Sequence, residues 1–238
     1  MALTSKRAAF FDVDNTLIRG SVIYFLGRGM YQRGYFTKKD ISRFVLANLR
    51  FRLTGKENTE EIQRFQDAAT DFIGGHNVKE IEAIAQEIYD EYVSPKLWER
   101  TCEIAREHLL RGESVWLVTA APQDMANIIA QRLGLTGALG SKARIENGIY
   151  TGTLDGKLLH GAEKAIAIQE LAKAHGFELK ECYSYSDSHN DIPLLQAVGH
   201  PCAINPDAIL RIRALAEGWP IHDFRRARFL NRLLGPMV

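Results

Sequence analysis

Two aspartates, Asp12 and Asp14, stand two residues apart where the apolar run Ala8-Ala9-Phe10-Phe11 gives way to the polar turn Asn15-Thr16. A buried strand ending in Asp-x-Asp places both carboxylates in the crevice where open α/β sheets bind ligands. Like charges this close are costly unless a cation or a shared proton offsets them. The pattern asks for a metal, or for a nucleophile beside an acid/base; a strand closed by an Asx-turn is the plainer account. A second pair, Asp187 and Asp191, lies four apart in Ser186-Asp-Ser-His-Asn-Asp191, after another apolar stretch. Thr119 ends a third such stretch, and Lys164 stands near the start of a helical pattern. Four carboxylates drawn to one point suit a hard octahedral cation such as Mg2+, whereas zinc would want cysteines or several histidines. Plainer roles exist for each residue. Asp187 and Asp191 can be helix-capping acids, Thr119 a strand end with a local hydrogen bond, and Lys164 a surface lysine with Lys157 as its rival. His189 reads as a rim residue rather than a ligand.

The elements that must hold these residues alternate in type. Strands are expected at 8–11, 114–119, 181–186 and 202–204. Helices are expected from Ser94-Pro95 to Gly112, at 122–134, 162–175 and 192–198, and from Asp207 to Glu217. Asn147-Gly148 marks a hairpin joining residues 139–145 to 148–154. Strands alternating with helices of this length imply an α/β fold, a mostly parallel sheet with helices on both faces. Residues 18–94 break the alternation. Four amphipathic helices fit there: one at 21–33, one opened by Thr37 with Ile41, Phe44, Val45 and Leu49, one after Asn58 or Thr59, and one at 78–93. The expected division is a core of residues 1–17 and 95–238, with 18–94 inserted after the first strand. Such an insertion sits over the strand ends with the geometry of a lid.

With 46% hydrophobic and 25% charged residues and a net charge of +1, the chain has the composition of an ordinary globular protein. No overall basicity points to nucleic acid. Charge is nevertheless segregated: nine Lys or Arg against Asp40 from Arg19 to Lys56, then ten acids against Arg64 and Lys79 from Glu57 to Glu91. The last stretch, 221–238, carries Arg225, Arg226, Arg228 and Arg232 beside Phe224, Phe229, Leu230, Leu233 and Leu234, the pattern of a basic amphipathic helix. It would dock on the core or touch an anionic membrane surface. No run has the length of a membrane span, and the first strand comes too soon for a signal peptide. Cys102, Cys182 and Cys202 are far apart and in no metal-ligand spacing. Cys182 and Cys202 read as small buried hydrophobes in or near strands and Cys102 as part of a helix, which fits a cytoplasmic location.

Taken in order, Phe11-Asp-Val-Asp-Asn-Thr-Leu17, Leu117-Val-Thr-Ala120, Lys164 and Ser186-Asp-Ser-His-Asn-Asp191 resemble the four motifs of the haloacid dehalogenase superfamily. The chain is most similar to its phosphoserine-phosphatase-like branch, with a helical cap between the first motif and the second. The resemblance implies a Rossmann-like three-layer α/β/α core and Mg2+-dependent hydrolysis of a phosphomonoester through an aspartyl-phosphate. It implies Asp12 as nucleophile and Asp14 as the acid that protonates the leaving alkoxide and then activates water. Thr119 would donate to a phosphoryl oxygen, and Lys164 would join nucleophile and phosphate. The metal would be held by Asp12, the Asp14 backbone carbonyl, Asp187 and Asp191. Asn15, Ala120 and Asn190 would complete the phosphate cradle. Ser186 stands where that family usually has glycine.

Phosphoserine-specific members carry a glutamate nine residues after the nucleophile to read the substrate ammonium; here the residue is Ser21. Ser21 and Arg52 are the expected cap contributors to the substrate pocket. A small-molecule phosphomonoester is the expected substrate, with no nucleic-acid partner, and the chain is expected as a monomer or homodimer. Phosphoserine itself, a lysophospholipid or other amphiphile at a membrane surface, phosphoryl transfer to a second alcohol, and a non-catalytic binding role are the alternatives.

Overall fold

A computed structural model describes residues 6–35, 42 and 73–225 of the chain. Its centre is β1 (Ala8–Phe11), buried at every position. Ala9 and Phe11 enter one apolar cluster, and Ala8 and Phe10 enter another on the opposite face of the sheet. A strand covered on both sides cannot alternate apolar with polar residues, which is why its sequence is a continuous apolar run. On one side of β1 lies β2 (Ser114–Pro122), followed by β3 (Gly137–Ser141). On the other side lie β6 (Tyr183–Ser186), β7 (His200–Ile204) and β8 (Ile221–His222). All five pairings are parallel, in the order β3-β2-β1-β6-β7-β8. The chain fills one half of the sheet, returns to the middle and fills the other, so the crevice at the carboxyl ends of β1 and β6 is a topological switch point.

Helices cover both faces. α3 (Glu99–Leu110) and α4 (Gln123–Arg132) contribute Cys102, Ala105, Met125 and Ile129 to the cluster that holds Phe11. α5 (Ala162–His175) and α6 (Ile192–Gln196) contribute Ile168 and Leu194 to the cluster that holds Phe10. α7 (Ala208–Glu217) packs Leu210 and Ala214 against Ala203 of β7. The three cysteines are buried and unpaired. No helix among the described residues is long and apolar enough to cross a membrane.

Between β1 and β2 the described chain forms α1 (Val22–Gln32) and α2 (Val78–Ile88). They meet at Gly29, where a Cβ would stand 2.5 Å from Cγ1 of Ile88, so glycine in mid-helix is what allows the two axes to approach. Departing and returning segments pair: Trp98 N–H donates to Leu17 O and Arg19 N–H to Lys96 O, each at 2.8 Å. This corrects the helix expected to start at Ser94-Pro95. Ser94–Lys96 is a single 3-10 turn, and α3 begins at Glu99, because the backbone of residues 96–98 is committed to that pairing.

Two further expectations change. Residues 139–141 join the parallel sheet as part of β3, and the hairpin across Asn147-Gly148 consists of β4 (Ala143–Glu146) and β5 (Ile149–Leu154). Gly137 opens β3 where a Cβ would fall 2.5 Å from the Trp116 ring, a strand signal without an apolar side chain. The segment expected to be helical from residue 221 instead begins as β8, paired to Ala203 and Ile204. Its continuation, with Arg226, Arg228, Phe229, Leu230, Arg232, Leu233 and Leu234, lies outside the described residues. So do Thr37, the helices expected at 41–49 and after Asn58, and the basic residues Arg43, Arg50, Arg52 and Lys56.

Candidate active site

Asp12 follows β1 directly, and its N–H still donates to Tyr185 O of β6 at 2.9 Å, so the strand geometry fixes where its carboxylate stands. The chain then curls. Leu17 and Ile18 N–H both donate to Val13 O, at 2.9 and 3.0 Å, and Asn15 adopts φ 57° at the bend. This curl returns Thr16 beneath Asp12. Its buried hydroxyl lies 3.1 Å from Asp12 Oδ2 and 3.4 Å from Asp187 Oδ1, so two carboxylates from neighbouring strands face one point. Lys164, in the first turn of α5, donates to Asp12 Oδ1 at 2.6 Å and to Asp191 Oδ2 at 2.8 Å. Its side chain is only 4% exposed, whereas that of Lys157 is 74% exposed and pairs with Glu163. The buried lysine, not its rival, belongs to the cluster.

The electrostatics are those of a site built for added positive charge. Burial, with Asp191 and Asp14 nearby, pushes the Asp12 carboxyl up to about 7 against the pull of Lys164. Burial, with Asp12 and Asp191 adding to it, pushes Asp187 up to about 8. Burial opposes the charge on Lys164, but Asp12 and Asp191 outweigh it and hold the ammonium above its ordinary range. Among the described residues no other Lys or Arg is ion-paired to Asp12, Asp187 or Asp191.

A hard divalent cation fits this donor set: the buried carboxylate of Asp12 and the half-buried one of Asp187 turned to one point, with no cysteine among them. The expected cage of four carboxylates is not what forms. Among the described residues no three His, Cys, Asp or Glu side chains are grouped as a metal cage. Asp14 Oδ1 accepts from Val22 N–H at 2.9 Å, at the start of α1, and Asp191 Oδ2 is taken by Lys164 and by Ser186 Oγ at 2.7 Å. Asp12 and Asp187 remain as side-chain donors, with Asp14 O beside them in the chain. That count suits Mg2+, which keeps several waters and takes one or two carboxylates together with substrate phosphate oxygens.

Other expected residues fall into two groups. Thr119 is buried on β2, the strand beside β1, and its Oγ1 accepts from Ala121 N–H at 3.1 Å, which commits a lone pair and leaves the hydroxyl proton to be donated. Ala120 O accepts from Ser141 Oγ at 2.9 Å, which fixes the peptide between Ala120 and Ala121. Asn15 Oδ1 accepts from Gly20 N–H at 3.1 Å and staples the loop. Asn190 is exposed, with its N–H on Ser188 Oγ at 3.2 Å. His189 bonds Asp207 through both its N–H and Nδ1, at 2.8 Å each, away from the carboxylates. Ser21 precedes α1 in extended conformation and gives no side-chain cap; Arg52 lies outside the described residues.

Four residues were missed. Thr16 bridges Asp12 and Asp187, and Ser186 reaches Asp191. Asn205, at φ 49°, donates from Nδ2 to Asn15 O at 3.2 Å, and Asp207 N–H donates to Asp187 O at 2.8 Å. Asn205-Pro206-Asp207 thus ties both acidic loops together. The sequence signal was an Asn-Pro-Asp turn directly after an apolar strand, at the same sheet edge as the other polar strand ends.

A family model for the haloacid dehalogenase-like hydrolases matches residues 9–196. The chain is 50% identical over 226 residues to phosphoserine phosphatase SerB1 of Mycobacterium tuberculosis, covering 95% of this chain and 73% of that one. A protein of unknown function from Bordetella pertussis superimposes with a TM-score of 0.82 at 28% identity, covering 92% of this chain and 99% of that one. A phospho-aspartyl intermediate analogue of phosphoserine phosphatase superimposes at 0.65 with 20% identity, covering 97% and 99%, and shares the fold. The chain therefore belongs to the haloacid dehalogenase-like hydrolase family, in its phosphoserine-phosphatase-like branch, and is a phosphatase of that family.

Proposed function

We propose that this protein hydrolyses a small-molecule phosphomonoester in two steps, with Asp12 as the nucleophile and Mg2+ as the cofactor. The observation that carries the reading is the contact of Lys164 with Asp12 at 2.6 Å, in a cluster where no other described Lys or Arg is ion-paired to Asp12 or Asp187. Asp12, Asp187 and the Asp14 carbonyl would hold the metal, which supplies positive charge to phosphoryl oxygens and keeps the carboxylates ionised. Asp191 is read as the partner of Lys164.

In the first step an Asp12 carboxylate oxygen attacks phosphorus and the P–O bond to the alcohol breaks. Asp14, protonated, gives its proton to the departing alkoxide. In the second step Asp14 takes a proton from water, the water oxygen attacks phosphorus, and inorganic phosphate leaves with Asp12 restored. Splitting hydrolysis this way replaces one difficult displacement with two easier ones. Thr119 Oγ, the Ala120 N–H and the Lys164 ammonium supply fixed donors to the phosphoryl oxygens, where negative charge resides. Val22 N–H on Asp14 Oδ1 orients the proton carrier from the first turn of α1.

Serine at position 21 supports a substrate that is not read through an ammonium there. Phosphoserine is the second reading, favoured by the 50% identity to the phosphatase named for it. Both are tested by phosphate release from an aryl phosphate, phosphoserine, and sugar, polyol, nucleotide and lysophospholipid monoesters. Wild-type protein with Mg2+ should release phosphate, lose activity with EDTA, and lose at least about a thousandfold in kcat as folded Asp12→Asn, roughly 4 kcal/mol of barrier. Full activity in that variant would remove Asp12 from the role.

A further inference from the structure

Ser186 occupies the last position of β6, is fully buried, and lies opposite Ala203 in the sheet register. Its hydroxyl makes two contacts. It accepts from Ser188 N–H at 3.2 Å and donates to Asp191 Oδ2 at 2.7 Å, so the turn from 186 to 191 is closed upon itself. The hydroxyl's one proton is spent on Asp191, which leaves none for a phosphate oxygen. Asp191 Oδ2 also accepts from Lys164 Nζ at 2.8 Å, and Lys164 Nζ reaches Asp12 Oδ1 at 2.6 Å.

We propose that Ser186 is a positioning residue for the phosphatase reaction, acting through Asp191 on Lys164. Two donors on one carboxylate oxygen engage both its lone pairs, so Asp191 cannot rotate without breaking two buried hydrogen bonds at once. The Asp191 carboxylate then fixes the lysine ammonium from one side while another of its N–H groups faces Asp12. Without the hydroxyl, Asp191 is held by the lysine alone. The pair can turn together, and the donor aimed at Asp12 and the phosphoryl group loses its direction. Glycine at this position, the residue usual in the resembling family, would leave that orientation to other contacts. In this chain the Ser186–Asp191 bond supplies it.

The inference rests on the proposed role of Asp12, and the experiment separates the two. Steady-state kinetics with an aryl phosphate and Mg2+ are compared for wild type, Ser186→Ala, Ser186→Gly and Ser186→Thr, with Asp12→Asn as control and melting temperatures recorded for each. Ala and Gly variants should each lose about tenfold in kcat with KM within about twofold, and the Thr variant, which keeps a hydroxyl, should recover most of the loss. Wild-type kcat in either the Ala or the Gly variant overturns the proposal, as does a folded Thr variant as slow as Ala. A loss carried in KM with kcat intact also overturns it. If instead the wild type turns over and Asp12→Asn turns over equally, the reading of Asp12 has failed rather than that of Ser186.

Discussion

Thr16 shows how much of this site is decided by one hydroxyl. It donates toward Asp12 and Asp187 from below, at 3.1 and 3.4 Å. Thr16→Val keeps the shape and removes the donor, leaving a buried oxygen of Asp12 and a part-buried one of Asp187 short of a partner. With the protein folded, kcat should fall about tenfold, near 1.4 kcal/mol of barrier; a variant with the wild-type rate would show that the hydroxyl only fills space. The acids themselves were legible because Asp-x-Asp after an apolar run is a pattern with a chemical reason. Thr16 was not, since a threonine after an Asx-type turn has an ordinary local explanation. Asn15 has a structural part that its sequence position does not reveal: only its positive φ and the bond from Gly20 N–H show it stapling the loop. Choosing between Lys164 and Lys157 needed burial, which seven residues of sequence separation cannot supply.

At the scale of elements, the site depends on β1 and β6 standing side by side, and a buried polar group helps to fasten them. Phe11 of β1 stacks on Tyr185 of β6 with centroids 4.3 Å apart. Tyr185 OH meets His108 Nε2 of α3 at 2.7 Å, and His108 Nδ1 meets Glu113 at 2.5 Å. Burial holds His108 below its ordinary 6.5, while His108 and Arg111 outweigh burial at Glu113 and hold it below its ordinary range. As pH falls below about 6.5 the unfolded chain takes up a proton that folded His108 resists, so the unfolded state binds more protons and stability drops. Glu113 adds a loss of the same sign at lower pH. Asp12 and Asp187, both raised by burial, take up protons in the folded state over the same range and act in the opposite direction. The His108 contribution is therefore read as a difference. Between about pH 7.5 and 5.5 the change in urea midpoint should be more destabilising in wild type than in His108→Gln, which is itself destabilised by roughly 1–3 kcal/mol. An equal change in both would remove His108 as a contributor. The strands and most helices of this layer were legible from apolar runs and glycine stops such as Gly176 at φ 74°. β3 and β8 were not: one is glycine-rich and the other is two residues long, so only pairing with β2 and β7 defines them.

For the whole molecule, the sheet brings residues from positions 12, 119, 164, 187 and 191 to one edge, and that convergence follows from a parallel sheet with a switch point. The sequence pattern was enough to anticipate it, because strand ends in such a sheet have only one edge to share. It was not enough to anticipate how the charges divide, which depends on the curl that sends Asp14 to α1 and the turn that sends Asp191 to Lys164. The central claim is that the phosphoryl group passes through the carboxylate of Asp12. It is tested by acid-quenching the Mg2+-loaded enzyme during turnover, reducing any acyl phosphate with borohydride, and locating the modified residue by peptide mass spectrometry. The account predicts homoserine at position 12, absent without substrate and absent in Asp12→Asn. Modification at another side chain, or an unmodified Asp12 in enzyme that is turning over at saturating substrate, would contradict it.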